Sequence, residues 1–200
     1  MSQLPPESSG PSGDVSRHLP LAELEAALHA LPSPPKDSGS LTLIVARRAD
    51  GVRETPQRVR LTPEAGVPGD RWARRQPPDP EAQLTVMRCD VAKLIANGQL
   101  LTVFGDNLFV DLDISAANLP VGTRLQVGEA VIEVTAKPHN GCSKFKQRFG
   151  ADALYFVNAP PTRDQNRRGI YWTVVEAGEV HVGASIRVLS RGSKVTAAME

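Results

Sequence analysis

Apolar positions along this 200-residue chain follow two different spacings. Leu21, Leu24, Ala27, Leu28 and Leu31 recur at intervals of three and four, which gathers side chains on one helix face and predicts a short amphipathic helix over 21–31. Pro32, Pro34 and Pro35 end it, and 36–40 reads as a linker. From Leu41 the pattern shortens to strand-length runs: 41–46, 58–61, 83–87, 109–112, 124–127, 130–136, 170–176, 180–182 and 185–189. Asp50-Gly51, Gly128-Glu129 and Gly178-Glu179 are tight-turn signals between them. Two helices interrupt the series, one over 90–96 closed by Asn97-Gly98 in a left-handed cap, the other over 144–149 before Gly150.

Many short strands with few helices predict a mainly β protein, an antiparallel sandwich or barrel. A parallel doubly wound sheet does not fit, because long strand–helix alternation is missing. The chain divides into an extension over 1–39 that carries the helix, a β domain over 40–190, and a loose tail over 191–200. Residues 1–20, rich in Pro, Ser and Gly, bury too little apolar surface to offset their ordering entropy and are expected to be disordered. The helix after them is expected to dock on the body of the same chain.

Charge narrows the function classes. With 23 basic and 22 acidic residues the net charge is +1, which gives no electrostatic case for a nucleic-acid coat or a membrane-surface protein. A local basic pocket stays open. The first residues lack the apolar stretch of a signal peptide, and no run approaches the ~18 apolar residues of a membrane span. Two cysteines in unlike contexts, Cys89 and Cys142, suggest a reducing compartment and no structural disulfide. A cytoplasmic location is expected.

The candidate chemistry centres on Lys137-Pro138-His139-Asn140-Gly141-Cys142-Ser143-Lys144-Phe145-Lys146. A thiolate is the form of cysteine that attacks electrophiles and binds soft metals, and nearby positive charge favours it. His139 and Cys142 stand three apart, a spacing found in zinc sites, but zinc takes three or four protein ligands and His18, His29, His181 and Cys89 lie far off in sequence. A cysteine nucleophile with His139 as base is the other option. Three polar turns add to the picture: Gly66-Val67-Pro68-Gly69-Asp70-Arg71-Trp72, Gly105-Asp106-Asn107 and Asn166-Arg167-Arg168-Gly169. Glycines let backbone approach an anion, and an arginine fork fits phosphate. Arg74-Arg75 and Arg167-Arg168 would most often be solvated charges. Taken with the cysteine loop, these turns predict loops around one anion-binding mouth.

The order of these motifs resembles the MOSC domain, named for the C-terminal part of molybdenum-cofactor sulfurases. The resemblance runs from the Gly66–Trp72 turn through Gln83-Leu84-Thr85-Val86-Met87, Gly105-Asp106-Asn107-Leu108-Phe109-Val110 and Leu119-Pro120-Val121-Gly122-Thr123. It continues through Glu133-Val134-Thr135, the cysteine loop, Arg168-Gly169-Ile170, and Val180 with Gly183 and Ile186. The chain is most similar to the stand-alone bacterial type. The resemblance implies a strongly bent antiparallel β-barrel with a few short helices, and binding of the pterin molybdenum cofactor (molybdopterin). It implies Cys142 as the molybdenum ligand and, with His139, as the catalytic pair. Arg71, Lys137 and Arg168 would hold the cofactor phosphate, Asn107 would shape the floor, and Asp70 and Asn166 complete the cofactor-binding set. The implied activity is reduction of N-hydroxylated small molecules with a separate electron-donor protein. The family's other suggested role is sulfur carriage as a persulfide on this cysteine, with a cysteine desulfurase as partner. Pyridoxal phosphate binding is associated with the family only in general. The chain departs from the pattern at Gly183-Ala184, where Gly-Asp is common, and shows no electron-transfer domain.

Overall fold

A computed structural model describes residues 10–192. The expected disorder of 1–9 and the tail from 193 on lie outside the described residues.

In chain order the elements are α1 (Leu21–Ala30), β1 (Ser38–Ile44), β2 (Ala46–Arg47), β3 (Arg53–Glu54), β4 (Arg58–Leu61), β5 (Leu84–Arg88) and α2 (Cys89–Ala96). They continue as β6 (Leu108–Asp111), β7 (Arg124–Val127), β8 (Ala130–Val134), α3 (Ser143–Phe149), α4 (Ala151–Asn158), β9 (Ile170–Glu176), β10 (Gly178–His181) and β11 (Ser185–Ser190). Seven strands close a barrel in the order β1-β11-β7-β8-β9-β5-β6. All neighbours but one are antiparallel, and register shifts interrupt three pairings. The exception is β5 with β6, which run parallel because α2 carries the chain back between them. β10 pairs with β4, and β2 with β3, as two-stranded ribbons beside the barrel.

The strands alternate as their pattern demands: along β8, Ala130, Ile132 and Val134 are buried while Val131 and Glu133 are less so. The buried faces converge on Leu41, Leu84, Leu108, Leu125, Ile132 and Trp172 inside the barrel. A second apolar cluster lies between the helices and the outer wall, built on Leu24, Met87, Phe104, Phe109, Phe149 and Phe156. There the Phe104 and Phe149 rings stack with centroids 4.1 Å apart. Asn97 caps α2 in the left-handed region at φ 45 and ψ 51.

Residues 10–20 depart from the expectation of disorder. Asp14 caps a short turn over Val15–Arg17, its N–H donates to Gln99 Oε1 at 2.8 Å, and Asn97 Nδ2 donates to the Arg17 carbonyl at 3.1 Å. Composition misses this because the segment leans on surfaces the body supplies. Among the described residues, no helix is long and apolar enough to cross a membrane.

Candidate functional site

Two buried carboxylates set the base of the site. Asp70 follows the Gly66–Gly69 turn and caps the turn over Arg71–Arg74 by accepting from the Trp72 N–H at 2.9 Å. It also accepts from Arg47 through Nε at 2.9 Å, Nη2 at 2.8 Å and the backbone N–H at 2.7 Å. Burial alone would raise its pKa; the Arg47 hydrogen bonds and charge, with the backbone N–H groups, bring it below the ordinary 3.8. Asn107 joins this network by donating from Nδ2 to Asp70 at 2.9 Å and to the Val45 carbonyl at 3.1 Å. Its Oδ1 accepts from the Thr85 hydroxyl at 2.9 Å, which ties the turn to β5.

The second carboxylate, Asp106, is fully buried and accepts from Arg168 Nη1 at 2.8 and 3.0 Å. Arg168 arrives on the turn before β9. Gly169 takes φ +101, and a Cβ there would overlap the Val86 carbonyl, so the turn closes against β5. His139 lies behind the cysteine loop with Nδ1 3.8 Å from Asp106 Oδ1 and its ring 4.4 Å from Tyr171. Burial first, then the Arg168 and Arg47 charges, hold its pKa well below 6.5, so the ring is neutral at pH 7.

Arg47, Thr85, His139, Arg168 and Tyr171 from these networks line a cavity of about 240 Å³. Five arginines (Arg47, Arg71, Arg75, Arg148 and Arg168) and Lys144 line it. Trp72, Phe145 and Tyr171 supply aromatic wall, and the Phe145 ring lies 5.1 Å from the Arg168 guanidinium carbon. Cys142 opens into the same space, exposed and free, at the residue preceding α3. Cys89 is also free but buried.

Of the residues singled out in sequence, Cys142, His139, Arg71 and Arg168 therefore share one cavity. Asp70 and Asn107 lie beneath it and work through Arg47. Lys137 and Asn166 do not line it. Lys137 pairs with Asp79, and Asn166 holds its turn by donating to the Ile114 carbonyl at 2.8 Å. Arg47, Arg75, Lys144 and Arg148 are additions to the expected set. Lys144 and Arg148 had a readable signal, since an i, i+4 pair just after the cysteine puts both on one helix face. Arg75 had none beyond its charge. Among the described residues, no three His, Cys, Asp or Glu side chains are grouped to hold a metal ion.

A family model of the MOSC domain matches residues 81–187, which include the cysteine loop and Arg168. This chain belongs to the MOSC domain family. The family is associated with molybdenum-cofactor binding. Uncharacterized protein YflK of Bacillus subtilis (strain 168) is 32% identical over 91 residues, 46% of this chain and 38% of that protein. The match thus spans well under half of that curated relative. Among solved structures, YiiM from Escherichia coli is similar with a TM-score of 0.52 and 22% identity, over 77% of this chain and 71% of that one. YiiM from Geobacillus stearothermophilus matches at 0.54 and 15%, covering 78% and 77%. The YUAD protein from Bacillus subtilis matches at 0.54 and 16%, covering 76% and 95%. At these identities the structures show a shared fold. Arg47, Arg71 and Arg75 of this MOSC protein lie outside the matched segment, yet they complete its cavity.

Proposed function

We propose that this MOSC protein binds the pterin molybdenum cofactor in the arginine-lined cavity, with Cys142 as the metal ligand. The holoprotein reduces N-hydroxylated small molecules with electrons from a separate donor protein. One observation carries the reading: a free, exposed thiol shares a cavity with five arginines and a lysine. The residues fit the group. A bare metal ion needs several protein ligands, whereas a metal that arrives on its own organic cofactor needs few, and one soft thiolate suits it. Guanidinium forks match the cofactor's phosphate.

When bound, the cofactor supplies the redox chemistry. The chain supplies position and protons. The Arg47–Asp70 and Arg168–Asp106 pairs fix two guanidinium groups at the base before any ligand enters. His139 is neutral and so donates from one ring nitrogen at most. Burial raises the Tyr171 phenol, which keeps its proton at neutral pH and can give it at the cavity wall. The reaction balances as R–NHOH plus two electrons and two protons giving R–NH2 and water. The electrons come from the donor and the protons from the wall and solvent.

The exposure of Cys142 also favours a second reading, a sulfur carrier that holds a persulfide supplied by a cysteine desulfurase. One set of measurements separates the two. Protein from a cofactor-competent host should contain about one molybdenum and one pterin per chain, and Cys142→Ala should lose the metal. Absence of both from wild-type protein overturns the reductase reading. A ~32 Da adduct on Cys142 after desulfurase treatment would then favour the carrier.

A further inference from the structure

The Cys142 side chain is exposed, yet the backbone that carries it is held on both sides. Downstream, its carbonyl accepts from the Lys146 N–H at 3.0 Å and so opens the first turn of α3. Upstream, the backbone of 136–140 makes no hydrogen bond among the described residues. The anchor there is Gly141. Its N–H donates to Asn158 Oδ1 at 2.8 Å, and its carbonyl accepts from Asn158 Nδ2 at 3.1 Å. One side-chain amide thus satisfies both polar groups of the residue before the cysteine, as a neighbouring strand would.

Asn158 is the last residue of α4, and Gly141 rests directly on that helix. A Cβ at Gly141 would lie 2.7 Å from Leu154 Cδ1 and 3.1 Å from Val157 Cγ2, both on α4. The helix is itself well fixed. Phe156 is fully buried in the helical cluster, and the Arg167 guanidinium carbon lies 4.4 Å from the centre of its ring. Arg167 in turn pairs with Glu25 of α1 at 2.6 Å. The amide of Asn158 is therefore presented from a rigid platform. Asn158 does not line the Cys142 cavity; it borders a smaller hollow behind the loop, beside His139 and Arg168.

We propose that Asn158 is a positioning residue for Cys142: its amide clamps Gly141 onto α4 and so aims the sulfur into the basic cavity. It acts through the Gly141 peptide and does not meet the ligand. The inference rests on Cys142 as the functional thiol, in either of its two roles, since ligating a metal and carrying sulfur both need that atom at a set place.

Alkylation of the full chain, free of cofactor, with iodoacetate and with iodoacetamide tests it. In each reaction a sulfur–carbon bond forms on Cys142, iodide leaves with the electron pair of the carbon–iodine bond, and the thiol proton goes to solvent. The reagents differ in charge. Among the described residues no acidic side chain lines the cavity, and its Arg75 and Lys144 have no ion-pair partner, so a thiol aimed inward meets the anionic reagent at raised local concentration. The iodoacetate-to-iodoacetamide rate ratio of wild type should therefore exceed that of free cysteine. Asn158→Ala and the similarly shaped Asn158→Leu should each lower this ratio at least about threefold, toward the free-cysteine value. Ala153→Gly weakens α4 from its core side and should leave the ratio unchanged. Buried Cys89 gauges folding, because only unfolded chain is labelled there. Four results would each overturn the proposal: a wild-type ratio no higher than that of free cysteine, Asn158 variants that keep the wild-type ratio, an equal fall in Ala153→Gly, or Cys89 labelled in both Asn158 variants. Molybdenum and pterin content are read on separate material. Loaded wild-type protein with a ratio that Asn158 does not move defeats this inference alone, and a ratio that falls in protein that never carries molybdenum defeats the reductase reading alone.

Discussion

Asp70 and Asp106 do the same job from different turns, each buried and each holding one arginine in a fixed place. Removing either carboxylate would leave a buried guanidinium uncompensated, at a cost of about 3–5 kcal/mol. The charges of both arginines act on His139, and the burial of its ring affects acid stability. The unfolded chain takes up a proton on this ring near the ordinary 6.5, while the folded ring stays neutral well below it. The unfolded state therefore binds more protons across that window, and stability falls as pH drops below 6.5, by up to about 1.4 kcal/mol per pH unit. Asp70 acts lower. Its depressed pKa contributes stability that is complete above the unfolded value near 3.8 and lost as pH falls through the folded value. Urea midpoints of the cofactor-free protein measured from pH 7.5 to 5 should decline for wild type and stay nearly flat for His139→Gln. An equal decline in both would show that other groups carry the effect.

Turns, more than strands, bring the chemistry together. The Gly169 turn is a tight case, because φ +101 and the Val86 carbonyl leave no space for a Cβ. Gly169→Ala should cost more than about 1 kcal/mol by thermal or chemical unfolding. It should also weaken anion binding, since the added carbon comes within 3.3 Å of His139 Nδ1 and shifts Arg168 next to it. Unfolding without loss of phosphate affinity would separate the turn from the site. Strands and turns of this kind were legible in the sequence, as strand-length runs such as 130–136 and as the ordered glycine motifs. So were the thiol loop and Arg71, where residue type and turn chemistry coincide. Other features were not. The parallel β5–β6 pair depends on how α2 crosses over, which no local pattern encodes. α4 escaped notice because Gly150 was read as the end of a helix, whereas at φ 95 it joins two. Arg47 reads in sequence as one charge among many, and only the fold places it over Asp70. Lys137 made the opposite error: its position in the loop suggested the cavity, but the backbone turns it toward Asp79.

Across the whole molecule, a net charge of +1 conceals a strong local asymmetry, with five arginines and a lysine gathered at one opening. That opening lies where the two apolar clusters meet: Thr85 enters it from the barrel, and Phe145 and Phe149 enter it from the helical layer. The helical layer is completed by α1, whose Leu24 is fully buried and whose neighbours are α2 and α4. The same stretch of chain continues back through His18 to the glycines beside Arg148. Leu24→Ala removes a fully buried side chain and should cost about 2–5 kcal/mol in unfolding free energy. Kept well below its lowered melting temperature, this variant should bind orthophosphate as wild type does, because Leu24 belongs to the helical cluster and does not line the Cys142 cavity. Loss of orthophosphate affinity together with stability would show that the helix also shapes the site.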